Sequence, residues 1–280
     1  MKKSLGICLI ALFLLSSCNS YNKILKSADY EYKYEAAKEY YFGGKYTRAA
    51  TILEELIAIM KGTDKGEESL FMLGMSYYGM HDYETASHYF KTYYSNYPRG
   101  IYTELARFYT GKTLYLATPE PRLDQTATVK AIQELQLFLE YYPESERRDE
   151  INHMLYSLQD NLAEKELYTA TLYYNLGSYT GNYGGHNSGN NYDACIITAQ
   201  NAQRDYPYSK HRESLAFLVL KAKYQLAMQS VDEKKQERLT DATDEYYAFK
   251  NEYPSSKHMT EADKILKAVS KKSDSSETEQ

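Results

Sequence analysis

Apolar side chains return along this chain at the three- and four-residue spacing of a helix, and the same kind of stop breaks off each stretch. Four Tyr-Pro steps (Tyr97-Pro98, Tyr142-Pro143, Tyr206-Pro207 and Tyr253-Pro254) close helical-period segments at intervals of 45, 64 and 47 residues. Proline has no N–H to give the preceding turn, so a helix ends there. No segment alternates apolar and polar with period two, so strands are not expected. The clearest block, residues 70–98, places Leu73-Gly74, Tyr77, Tyr83, Ala86 and Phe90. Gly74 and Ala86 are small where two helices would cross closely, and Leu73, Tyr77 and Phe90 fill the space beside them. His81-Asp82 reads as a short turn, with Asp82 capping the second helix.

A weaker copy precedes this block at Tyr40, Gly44, Tyr46, Ala49, Leu53 and Leu56, ended by Gly62. A third unit begins at Leu105-Ala106 and Tyr109 and resumes at Ala131, Leu135 and Phe138 beyond a loop around Pro119 and Pro121. The fourth runs from about Ser145 to Pro207. It reads as helices over 146–159 and 164–176, a Gly/Asn-rich loop 181–191, and a last helix from Tyr192. The fifth, 209–254, keeps Ala242, Tyr246 and Phe249. Residues 257–269 form a final helix and 270–280 a disordered tail. The pattern resembles the tetratricopeptide repeat, two antiparallel helices in about 34 residues. That resemblance implies an all-α fold, a right-handed superhelix (solenoid) of about five helix pairs with a C-terminal capping helix.

The first residues differ in kind. Lys2-Lys3 precede an uncharged apolar run from Leu5 to Leu15, too short to span a bilayer as a helix, and the run ends in Leu15-Ser16-Ser17-Cys18. This resembles a bacterial lipobox, which implies a signal peptide over 1–17, covalent lipid on Cys18 and a lipidated linker over 18–28. Several acyl chains, at about 0.8 kcal/mol per buried CH₂, hold a protein stably on a membrane. Asn19, rather than Asp, after Cys18 implies export to the outer membrane, and the absence of an acidic cluster implies its periplasmic face.

Composition narrows the reading. The chain has 280 residues, 43% apolar and 25% charged, with 32 Tyr, 8 Phe and no Trp. Tyrosine packs its ring while its hydroxyl stays wet, which suits thin, half-exposed layers. The net charge is −5, and −7 once residues 1–17 with Lys2 and Lys3 are set aside. That balance argues against a nucleic-acid partner, which needs a basic footprint.

The residue types that carry catalysis are not arranged for it. None of His81, His88, His153, His186, His211 and His258 falls in a metal-site motif, and no nucleophile elbow, phosphate loop or dinucleotide fingerprint occurs. Cys195 occupies the small-residue position held by Ala86, Ala131 and Ala242, so it reads as a buried spacer. No catalytic, metal-binding or cofactor-binding residue is assigned, apart from the lipid on Cys18, and no enzyme activity is expected.

In a tetratricopeptide unit the first helix lines the concave face. Counting register from Leu73-Gly74 gives Glu68, Phe71, Met75 and Tyr78 in the second unit. It gives Glu31, Tyr34, Lys38 and Tyr41 in the first, and Thr103 and Arg107 in the third. The candidate peptide-binding groove is therefore Tyr34, Lys38, Tyr41, Phe71, Met75, Tyr78 and Arg107. Its rings and thioether would take apolar side chains, while Lys38 or Arg107 would hold a terminal carboxylate.

The lipid signal, repeat number and helix endings such as Phe90-x-x-Tyr93-x-x-x-Tyr97-Pro98, Phe138-Leu139-x-x-Tyr142-Pro143-Glu144-Ser145 and Phe249-x-x-x-Tyr253-Pro254-x-Ser256 together resemble the BamD family, lipoproteins of the outer-membrane β-barrel assembly machinery. The resemblance implies that residues 29–143 receive unfolded barrel precursors. It also implies that 144–269 dock on BamA, through its POTRA domain nearest the membrane, and leaves room for other lipoproteins of that complex as partners. Thr198, where better-known members carry a basic residue, leaves individual docking residues unassigned. The alternatives are a glycan-binding nutrient-capture lipoprotein, disfavoured by the lack of Trp, and a generic periplasmic scaffold.

Overall fold

Helix hairpins follow one another along the chain, as the repeat pattern requires. The computed structural model describes residues 20–177 and 190–277, with side chains as far as 273. The expected signal peptide, Cys18 and most of the 181–191 loop lie outside the described residues. The first three hairpins pair α1 (Tyr30–Phe42) with α2 (Tyr46–Ile59), α3 (Asp64–Gly79) with α4 (Tyr83–Asn96), and α5 (Thr103–Leu116) with α6 (Thr126–Tyr141). Next come α7 (Arg148–Leu176) with α8 (Asn191–Asp205), α9 (Arg212–Met228) with α10 (Asp232–Glu252), and the final α11 (Met259–Glu277). Among the described residues there is no strand. The fold is an all-α, tetratricopeptide-like solenoid.

The chain divides into two compact units: Met1–Thr118 with Thr126–Ile151, and Pro119–Gln125 with Asn152–Gln280. Within the first, each helix from α1 to α6 packs on the next, and α1 also touches α3. Within the second, α8, α9, α10 and α11 pack in turn, and α9 reaches α11.

Local chemistry sets the helix ends. Asp29 accepts from the N–H of Tyr32 at 3.0 Å, Thr63 from Gly66 at 3.1 Å, and Asn190 from Tyr192 at 2.8 Å. Asp82 accepts from Thr85 at 3.1 Å, the cap expected from the sequence. The α1–α2 turn needs a left-handed residue and has Gly44 at φ 69°, whereas the α3–α4 turn holds His81 there at φ 61°. Inside, Ala37, Ala49, Ile52, Leu53, Leu56 and Leu73 form one core of the first unit, with Ala86, Phe90, Tyr93 and Ala106 in the next layer. In the second unit Cys195, Ala199, Leu215 and Val219 pack beneath the C-terminal half of α7, beside a layer of Ala242, Tyr246 and Phe249.

The repeated Tyr-Pro-x-Ser ending is a joint between hairpins. Ser145 donates its hydroxyl to Glu104 at 2.6 Å and its oxygen receives the N–H of Arg147 at 3.3 Å. Ser256 does the same with Glu213 at 2.6 Å and His258 at 3.0 Å. After Tyr97-Pro98 no serine is present, and Glu67 accepts instead from the Tyr93 hydroxyl and from the N–H of Ile101 at 3.0 Å. The Tyr93 oxygen in turn receives the N–H of Tyr102 at 3.1 Å.

Three segments differ from the sequence expectation. The helices read over 146–159 and 164–176 are one helix, α7. No Gly or Pro falls between the two stretches, and Ile151, Met154, Leu158, Ala163 and Ala170 keep one buried stripe. The 18–28 linker is helical over 20–25, because Ile24 is buried in the first core with Tyr21 and Leu25 against it. The tail expected to be disordered from 270 is helical to Glu277, since no breaker follows Val269.

Candidate functional site

In the first unit, α1, α3 and α5 are the first helices of successive hairpins, and they carry the residues expected to line a groove. Phe71, Met75 and Tyr78 recur at helical spacing on α3 and are half-buried, their inner edges against the layer of Phe90 and Tyr93. The Phe71 ring stacks on Tyr102 at 4.5 Å and 12°, and approaches Phe90 and Tyr93 at 5.7 Å. Tyr78 meets Tyr109 edge-on at 5.2 Å, and Tyr109 stacks on Phe90 at 5.3 Å. Tyr41, also half-buried, projects from α1. Burial raises its hydroxyl pKa, and so do the nearby hydroxyls of Tyr46, Tyr109 and Tyr102.

Two of the expected groove residues are engaged by the protein itself. Tyr34 is only 3% exposed and donates its hydroxyl to Glu68. Lys38 pairs with the same carboxylate at 3.0 Å. Burial alone would raise Glu68, but the hydrogen bonds from Tyr34 and Lys38 and the charges of Lys38 and Lys65 outweigh it and hold the carboxyl below its ordinary value. Burial and that carboxylate push Tyr34 up to about 12. Glu31 pairs with Lys65. Tyr34 is therefore a strut beneath the face rather than part of its floor, because Glu68 one helix away is long enough to reach over it. Thr103 is likewise turned inward, donating to the carbonyls of Tyr97 and Gly100 at 2.7 and 2.8 Å.

Arg107 is placed differently. Its guanidinium lies 4.3 Å from the Tyr94 ring and 4.0 Å from the Tyr141 ring. Glu134 is occupied by Lys91 at 2.8 Å and the Tyr94 hydroxyl at 3.3 Å, and among the described residues no carboxylate pairs with Arg107. Stacking of this kind fixes the plane of a guanidinium while its N–H edge remains able to bind a carboxylate in two places.

Register counting missed Tyr102 and Tyr109, which complete the floor from α5. Their seven-residue separation places them on one helix face and was the available signal. It also missed Lys112, which borders Tyr78 and Tyr109 and pairs with Glu150 at 2.8 Å. Elsewhere, Cys195 is buried and burial pushes its thiol up to about 12, far from the thiolate a nucleophile needs. Among the described residues no three His, Cys, Asp or Glu side chains are grouped to hold a metal ion.

The second unit offers another patch. Tyr156 and Tyr208, both well exposed, flank a cleft of about 310 Å³ with Gln159, Asp160 and Ser209. Asp160 accepts from the N–H of Lys210 at 3.1 Å, which fixes that rim.

Among curated proteins no sequence matches the chain. The family model YfiO, described as an outer membrane lipoprotein, matches residues 27–182, more than half of the chain.

Proposed function

The chain belongs to the YfiO family of outer membrane lipoproteins, the BamD family. On that premise we propose that it is a non-catalytic adaptor, anchored by lipid on Cys18 to the periplasmic face of the outer membrane. In this reading it binds unfolded β-barrel precursors and docks on BamA, at the POTRA domain nearest the membrane, for their insertion. No described helix is long and apolar enough to cross a membrane, and in this reading the lipid on Cys18 is the attachment.

The observation that carries this reading is the row of Tyr41, Phe71, Met75 and Tyr78, continued by Tyr102 and Tyr109. In this reading rings and a thioether accept apolar side chains of an extended segment, and its terminal carboxylate reaches past them to the Arg107 guanidinium, held against rings of α4 and α6 with no acidic partner among the described residues. Lys38, engaged by Glu68, does not share that role. The Tyr156–Tyr208 patch suits the partner-docking half, since exposed aromatic clusters mark interaction surfaces.

The test is binding of a peptide copied from a barrel C-terminus. Phe71→Ala and Tyr78→Ala should each weaken it, and unchanged affinity in both removes the groove. Crosslinking followed by copurification should recover BamA, with Tyr208→Ala reducing the yield. Recovery of polysaccharide or of peptidoglycan enzymes in its place favours the alternative readings.

A further inference from the structure

The first residues described are not a loose tether. Ser20 opens the helical segment 20–25, Ile24 is buried, and the Tyr21 ring packs edge-on against Tyr40 at 5.7 Å. The Arg48 guanidinium lies over both rings, at 5.1 and 5.7 Å. Tyr40 is near the end of α1 and Arg48 near the start of α2. The chain therefore enters the fold beside the α1–α2 turn, where Phe42 is 76% exposed and Gly43, Gly44 and Lys45 are exposed. Cys18 precedes Ser20 by two residues, a reach of about 7 Å at full extension.

The charges here differ from those of the whole protein. Segments 18–28 and 42–48 carry Lys23, Lys26, Lys45 and Arg48 and no carboxylate, in a chain whose net charge is −5. The nearest acid on α1 is Glu39, one turn before Phe42. An exposed aromatic ring flanked by lysines is the composition of a membrane-interface contact, where the ring enters the headgroup layer and the cations meet phosphates. A headgroup layer is about 5–7 Å deep on each side of the hydrocarbon, comparable to the two-residue reach from Cys18.

We propose that this end of the first hairpin rests on the phospholipid leaflet, with Phe42 at headgroup depth and Lys23, Lys26 and Lys45 against the lipid phosphates. The inference rests on the reading of Cys18 as lipidated. It adds that the first unit stands on the membrane by a defined end instead of swinging from its anchor.

The chain has no Trp, so one introduced Trp reports alone. Phe42→Trp is made in the full lipidated protein, reconstituted on phosphatidylcholine–phosphatidylglycerol vesicles with and without brominated acyl chains. The reference is Ile101→Trp, at an 81% exposed position between α4 and α5. Hairpin topology puts that position at the opposite end of helices of about 14 residues, roughly 20 Å away. Phe42→Trp should shift to the blue and be quenched by bromolipid, while Ile101→Trp should keep a solvent-like, unquenched spectrum. Adding Lys45→Glu should lessen the quenching on anionic vesicles.

If the protein floats with vesicles but Phe42→Trp behaves like Ile101→Trp, the docking is overturned and the anchor stands. Quenching at both positions also overturns it, because the hairpin then lies flat. Absence of acyl mass on Cys18, with no flotation, overturns the lipid reading and this inference with it.

Discussion

The Arg107 guanidinium lies 4.0 Å from the centre of the Tyr141 ring and 4.3 Å from that of Tyr94. The two rings come from α4 and α6, the second helices of adjacent hairpins, so the cation is oriented before any ligand arrives. Hydrogen bonds to charged groups contribute about 1.5–3 kcal/mol. Arg107→Ala should therefore weaken binding of an aromatic peptide with a free C-terminal carboxylate by roughly ten- to a hundredfold. The same peptide closed as an amide should bind the wild type and the variant alike. Titration calorimetry on the four combinations checks this, and an equal loss for both peptides would place the carboxylate elsewhere.

Glu68 separates a structural role from a binding one. Its carboxyl is held below its ordinary value of 4.5, so the charged form favours folding. That contribution is complete above the unfolded value and disappears as the pH falls through the lower folded value. Glu68→Gln should cost about 1–3 kcal/mol near neutrality, and its deficit relative to the wild type should shrink below about pH 4. Urea unfolding at several pH values measures the difference, and a deficit independent of pH would contradict it.

Close helix packing depends on Gly74. A Cβ placed there falls 2.8 Å from Cε1 of Phe90, whose ring is fully buried between Tyr109 and the α3 backbone. Overpacking of this kind costs about 1–3 kcal/mol. Gly74→Ala should lower the urea midpoint accordingly without lowering helix content by circular dichroism. Since Phe90 carries Phe71 and Tyr109, peptide affinity should fall in the same variant.

Alkaline stability should follow the tyrosines. Burial, with nearby carboxylates, pushes Tyr34, Tyr94 and Tyr253 up to about 12. A raised folded value favours the neutral hydroxyl, so this stabilisation is present below pH 10 and is lost as the pH rises toward 12. With no Trp to interfere, tyrosinate absorbance should show a fraction titrating late in buffer, and that fraction should return to the ordinary range in concentrated urea.

The hairpin plan was legible because its signals are local. Gly74, Ala86, Asp82 and the Tyr-Pro stops act within one or two turns, and each does what its type requires. Depth was not legible. Tyr34 and Tyr41 share a face on α1, yet one is buried and the other half-exposed, because Glu68 arrives from α3 over the first only. Arg107 and Lys38 looked interchangeable as cations. Which one is paired depends on Glu68 and Glu134, residues contributed by helices distant in sequence. The stretches 146–159 and 164–176 read as two helices in sequence, while the buried stripe that joins them in α7 becomes visible only once partners are in place.

The joint between the second and third hairpins has a further consequence. At the junctions after Tyr142-Pro143 and Tyr253-Pro254 a serine hydroxyl meets a glutamate, a small group on a short arm. Here a fully buried phenol, Tyr93, closes it, locked between Glu67 and the Tyr102 backbone. Both ends of its hydroxyl are engaged, and the stacked pair Phe71–Tyr102 packs against its ring, Phe71 edge-on at 5.7 Å and Tyr102 tilted at 6.2 Å. A strand bound there as proposed would meet a surface already braced by the protein's own contacts, and would give up little of the protein's conformational freedom on contact.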